Sequence, residues 1–230
     1  MMRNLTVLGA MTLRRAAVAI AMVVLVFGGA QAQGTAAAAA PASAAAQTPD
    51  ELVRSLSNDV LDAIKKDRSL KAGDPARINA LVDEKILPYV NFEKMTRLAV
   101  GRGWRQATPE QRSQLTREFR KLLVRTYSGA VSEVTDHQVQ LRPFRAQPTD
   151  TDVVVRTQVV PSRGEAIDLD YRLEKSDATW KIYDVSVLGV WLVENYKSQF
   201  ATEISQNGVD GLIKSLVERN RSPESAPKKS

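Results

Sequence analysis

The hydrophobic pattern changes period near Gln138 and back again after Gly189, and the first change limits the possible folds more than any other feature. Before it, apolar residues recur at helical spacing. After it, they alternate with polar ones over short runs. Leu52, Leu56, Val60 and Ile64 form a first stripe, and Ile78, Leu81, Val82 and Ile86 a second. Phe92, Met95 and Leu98 form a third. The longest joins Leu115, Phe119, Leu122, Leu123, Tyr127, Ala130, Val131 and Val134. Start signals precede these stripes. Thr48-Pro49-Asp50-Glu51 has the order of a capping box with proline at the first helical position, and Thr108-Pro109-Glu110-Gln111 repeats that logic. Asp74 and Asn91 stand where caps are needed, Pro88 closes the second helix, and Gly101-Arg102-Gly103-Trp104 reads as a loop.

Beyond the switch, residues 139–142, 152–160, 165–173 and 179–188 read as strands joined by short polar turns, which predicts a four-stranded antiparallel meander. In residues 165–173, Ile167, Leu169, Tyr171 and Leu173 take one face, and Asp168, Asp170 and Arg172 the other. The last strand breaks strict alternation near Asp184: Trp180 and Ile182 fall on even positions, Tyr183, Val185 and Val187 on odd ones. Either both its faces are buried or a bulge sits there. Gly189 ends it, and Val190, Val193, Tyr196, Phe200 and Ile204 predict a helix over 190–205, stopped by Asn207-Gly208. A last helix follows over 211–218, capped by Asp210. The sum is an α+β domain over residues 48–221, with N-terminal helices, a four-stranded sheet and C-terminal helices. That length supports one sizeable core.

The ends read differently. Residues 1–32 have the form of a secretory signal: Arg3, Arg14 and Arg15 without an acid, an apolar run over 16–29 too short to span a bilayer, and an Ala30-Gln31-Ala32 cleavage site. Residues 33–47, rich in Ala and Pro, read as a disordered spacer, and 222–230 as a disordered polar tail. A protein cut after Ala32 without cysteine carries no lipid anchor, so a soluble periplasmic protein is expected. The absence of cysteine also rules out disulfides and thiolate chemistry. The three signal arginines account for half of the formal charge of +6. The remaining +3 is spread among acids, without the aromatic-basic interleaving of a nucleic-acid binder. The basic side of the long helix (Arg112, Arg117, Arg120, Lys121, Arg125) suits either solvent or an anionic partner.

Catalytic signals are sparse. The single histidine, His137, follows Asp136 at the helix-to-strand junction, and Asp168 and Asp170 share a strand face. No histidine or cysteine accompanies the two aspartates to make a metal site. Nucleophile-elbow, P-loop and dinucleotide-binding patterns are missing. A small enzyme using Asp136 and His137 is therefore the weaker reading, and no cofactor is expected.

Five segments together resemble the MlaC, or toluene-tolerance, family: VGRGWR from Val100, TPEQRSQLTREF from Thr108, LLVRTYSGAV from Leu122, WKIYDVSVLGVWLVENYKSQF from Trp180 and NGVDGLIKSLVERN from Asn207. The chain departs from the family pattern at Trp191, where a small serine is usual. The resemblance implies a monomeric carrier with a phospholipid as cargo rather than as cofactor. It would pass lipid between an outer-membrane lipoprotein-porin complex and an inner-membrane ABC transporter with its substrate-binding ring, maintaining outer-membrane lipid asymmetry. A hopanoid or other lipid is the alternative cargo, and an interaction module with a solid core the alternative class. A carrier must hide acyl chains, because each buried methylene is worth about 0.8 kcal/mol and two chains on the order of 20 kcal/mol. Such a pocket is expected between a sheet face bearing Val153, Val155, Val159, Ile167, Leu169 and Tyr171 and helices bearing Leu122, Tyr127, Val190, Leu192 and Tyr196. Trp191 is expected to point into it from the start of the 190–205 helix.

Overall fold

Thr48 accepts a hydrogen bond from the Glu51 N–H and donates its own N–H to the Glu51 carboxylate, starting helix α1 (Pro49–Lys66) as the capping box predicts. The structure, a computed structural model, describes residues 47–131, 137–147, 149–162, 164–177 and 179–221. The expected signal, the spacer up to residue 46, Val134, Asp136, the polar tail and the side chains of Ala130 and Val131 lie outside the described residues.

Asp67 ends α1 and caps the short α2 (Arg68–Lys71), accepting from the N–H groups of Ser69 and Leu70. Asp74 caps α3 (Pro75–Leu81), which loosens into a π turn (Val82–Ile86) and a 3-10 turn (Leu87–Tyr89) that holds Pro88. Asn91 caps α4 (Phe92–Val100) through the Lys94 N–H. The expected loop at 101–104 is in part a one-turn helix, α5 (Gly103–Gln106), with the Trp104 indole buried beneath it. A Cβ at Gly103 would stand 2.6 Å from Ile204 Cδ1, so a side chain there would push the end of Ile204 aside. Thr108 and Gln111 form the second reciprocal cap and open α6 (Pro109–Val131).

The sheet runs β1 (Gln138–Leu141), β2 (Asp152–Val160), β3 (Ile167–Ser176), β4 (Thr179–Val187) and β5 (Val190–Trp191), every pair antiparallel and in chain order. It has five strands where four were expected. Leu188 and Gly189 take positive φ (51° and 81°), making a two-residue turn that folds Val190 back onto Val187 and Trp191 onto Ser186. Val190 and Trp191 are therefore strand residues, and the helix begins at Leu192. The irregularity near Asp184 is both of the expected things. Arg172 pairs with Asp184 and Leu173 with Ile182, so Tyr183 is the extra residue of a bulge. Around it, Ile182, Tyr183 and Asp184 are all buried. The final helix, α7 (Leu192–Arg221), breaks at Gly208, whose φ of 69° and ψ of −174° belong to glycine, and resumes directly after it.

Two apolar clusters result. The first joins Leu52, Val60 and Ile64 of α1, with residues of α2, α3 and the π turn, to one sheet face that includes Val155, Leu169 and Leu173. The second joins α4, α5, α6 and α7 through Met95, Trp104, Phe119, Leu122, Tyr196 and Phe200. The N-terminal helices, rather than the C-terminal ones, thus cover the sheet face. The C-terminal helix packs chiefly along α6 and α4 and reaches the sheet at β4 and β5.

Candidate functional site

The residues expected to surround one pocket divide between the two clusters. Val153, Val155, Val159, Leu169 and Tyr171 belong to the first, with Ile167 half-buried at its edge. Leu122, Leu192 and Tyr196 belong to the second, with Tyr127 packed against it. Val155, Val159 and Leu169 are 0% exposed and Tyr171 1%. A ligand reaches these side chains only if the layers part. Burial pushes the Tyr171 phenol far above its ordinary range, with the Ser57 and Thr157 hydroxyls opposing the shift. The second cluster centres on three rings. Phe119 meets Tyr196 at 5.0 Å and Phe200 at 5.2 Å, both edge-on, and Tyr196 lies 5.6 Å from Phe200.

Among the described residues, Leu188 and Val190 at the β4–β5 turn are the exposed large apolar residues, and half-buried apolar side chains gather at the edge of the first cluster and where the two clusters meet. Val90 and Val185 pack against both clusters, and α6 turns Val124 to the first and Leu122, Leu123 and Tyr127 to the second. Val124, Tyr127, Leu141, Phe144 and Val185 are each half-buried. The sequence places Leu141 and Val185 in strands but not beside the expected pocket, and Val124 and Phe144 in no apolar face at all. Val124 is off the chosen stripe of α6, and Phe144 follows a strand too short to assign its faces.

Val190 and Trp191 sit elsewhere than expected. Val190 is 41% exposed, and the half-buried Trp191 ring lies 3.9 Å under the Arg172 guanidinium. Arg172 in turn pairs at 3.1 Å with buried Asp184, whose Oδ1 accepts the N–H groups of Val185 (2.9 Å) and Val193 (3.1 Å). Asp184 is thus an N-terminal cap for α7 supplied from a neighbouring strand. Burial pushes its carboxyl above the ordinary value, against the pull of those two N–H donors and of Arg172. In this setting Trp191→Ser removes one cation–π contact and little packing. The expected loss is about 0.5–1 kcal/mol, read as a denaturation midpoint, against about 3–5 kcal/mol for an aromatic truncated in a closed core. A loss in the larger range would place the ring in the core.

The polar candidates are engaged structurally. Asp168 bonds Arg142 at 2.8 Å, which holds its carboxyl below the usual range, and Asp170 stands 3.8 Å from Arg156. Among the described residues no group of three or more acidic or histidine side chains is placed to hold a metal. His137 is half-buried just before β1. No described helix is long and apolar enough to cross a membrane.

Three comparisons bear on this site. The model of the family described as MlaC protein matches residues 54–218. The chain is 22% identical over 182 residues to the intermembrane phospholipid transport system binding protein MlaC of Haemophilus influenzae, covering 78% of this chain and 85% of that one. It is 23% identical over 192 residues to toluene tolerance protein ttg2D of Pseudomonas putida, covering 80% and 89%. Among solved structures, a phospholipid-binding protein from Ralstonia solanacearum in complex with a phospholipid matches with 50% identity and a TM-score of 0.68. That match covers 70% of this chain and 90% of that one.

Proposed function

The chain belongs to the MlaC family, and from that premise we propose that it is a soluble periplasmic phospholipid carrier, not an enzyme. The observation that carries this reading is the half-identical relative, spanned over 90% of its length, whose structure holds a phospholipid. The acyl chains lie along the seam between the two clusters, against Val124, Tyr127, Leu141, Phe144 and Val185. There apolar surface is available without breaking a packed layer, and the headgroup stays in water. Opening the seam further brings the chains to Leu122, Val153 and Tyr171. The carrier exchanges its cargo between an outer-membrane complex and an inner-membrane ABC transporter with its substrate-binding ring. Residues 48–221 form the lipid-binding domain, and no cofactor takes part.

Extraction of the purified protein with organic solvent, followed by lipid mass spectrometry, tests the cargo. A diacyl phospholipid near one per chain is the expected result. A hopanoid would reassign the cargo, and a lipid-free protein would leave a solid interaction module. Export is tested by intact mass: the mature protein begins at Gln33, and retention of residues 1–32 would contradict a cleaved signal.

A further inference from the structure

Two sets of basic residues on the helical side behave differently. Those of α6 are occupied: Arg120 bonds Asp83 at 2.7 Å, Lys121 bonds Glu118 at 2.8 Å, Arg117 bonds Ser113 at 2.7 Å, and Arg112 bonds the Trp104 carbonyl at 2.9 Å. Arg125 reaches the carbonyls of Arg219 and Asn220 at the end of α7. Arg112, Arg120 and Arg125 thus tie α6 to other segments, while Arg117 and Lys121 bond within α6.

Arg97, Arg102 and Arg105 are different. All three are exposed, and among the described residues none has an ion pair or hydrogen bond through its guanidinium. They arrive from the last turn of α4, the turn after it and α5. Lys197 of α7 joins them, its ammonium 3.3 Å from the equally exposed Glu194. Together they line an open groove of about 490 Å³ with no acidic residue among the described residues of its wall, and Leu98 and Trp104 supply its apolar surface. The buried Trp104 also borders a second groove, where Arg112 stands 5.6 Å from its ring centroid.

We propose that the Arg97–Arg102–Arg105–Lys197 groove is a docking surface for an acidic segment of a partner protein, with an apolar side chain seated against Leu98 and Trp104. Three uncompensated guanidinium groups repel one another across the groove, and partner carboxylates relieve that repulsion while steering the encounter. The concave form favours a polypeptide over a membrane: a flat bilayer meets only the cationic rim and leaves the apolar floor unused. The proposal does not depend on the cargo, since the groove is separate from the seam.

The test uses the purified protein and a labelled peptide of Asp, Glu and Leu, with its Asn/Gln/Leu counterpart as the uncharged probe. Fluorescence anisotropy is read at low and high salt. The acidic peptide is expected to bind, more weakly as salt rises, and the uncharged one not. Combined Arg97→Glu, Arg102→Glu and Arg105→Glu should weaken binding about tenfold or more. The milder Gln triple, with an unchanged melting profile, guards against misfolding. Combined Lys65→Glu, Lys71→Glu and Lys175→Glu makes the same change in net charge away from the groove, and less than about a twofold change is expected from it. Equal losses in both triples, or equal binding of the two peptides, would overturn the proposal. So would groove-dependent binding of phosphatidylglycerol vesicles with no binding of the acidic peptide. Lipid content, measured separately, should not change in the groove variants.

Discussion

Asp184→Ala should lower the unfolding free energy by about 3–5 kcal/mol, because it removes one member of a buried ion pair and strands the rest. The carboxylate is 0% exposed, while its partner Arg172 keeps 32% of its side-chain surface. Without Asp184, Arg172 loses its counter-ion, and the N–H groups of Val185 and buried Val193 lose their acceptor. The junction of β4, β5 and α7 would loosen together. Asp184→Asn retains an acceptor oxygen for both N–H groups and should lose less, about 1–2 kcal/mol. Chemical denaturation of the two variants measures this ordering, and equal losses would mean that the charge alone matters. Burial raises the folded carboxyl above its unfolded value. Its contribution is therefore fully present below the unfolded value and is lost as pH rises through the folded one. The stability advantage of wild type over Asp184→Asn should accordingly shrink from acid toward neutral pH.

Phe119→Ala is expected to cost a similar amount, about 3–5 kcal/mol, for a different reason. The ring is 0% exposed and makes edge-on contacts with both Tyr196 and Phe200. Its removal leaves a cavity between α6 and α7, where the break at Gly208 limits how far α7 can settle as one rigid rod. The same variant separates the second cluster from the proposed lipid seam. A large loss of stability with an unchanged lipid profile is the expected pair of results. A small loss accompanied by longer or additional acyl chains would instead bring the cargo into the three-ring cluster, and the seam would need redrawing.

Local interactions were legible in the residues themselves. The caps at Thr48, Asp74, Asn91 and Thr108, the break at Gly208 and the irregularity beside Asp184 depend on side chains within a few positions of one another. The α+β class followed from a period change that burial of one face imposes on any such chain. Sequence resemblance also reached the family, since the residues that carry it extend along most of residues 54–218.

Tertiary structure decided the partners. An apolar stripe states that a helix must be covered, but not by what, and so α1 rather than α7 lies over the sheet face. Strand β5 has two residues, too few to show a period, and exists because the Leu188-Gly189 turn brings Trp191 beside Ser186. Whether an arginine is occupied or open also depends on distant contacts: Arg120 finds Asp83 thirty-seven positions away, whereas Arg97, Arg102 and Arg105 find no such acid among the described residues. From residue 47 onward the sequence determined most of the helices and strands and their apolar faces, because those follow from neighbours along the chain, the exceptions being the one-turn helix α5 and the two-residue strand β5. The division into two clusters, the seam between them and the open basic groove arose only when segments far apart in sequence competed for the same surfaces.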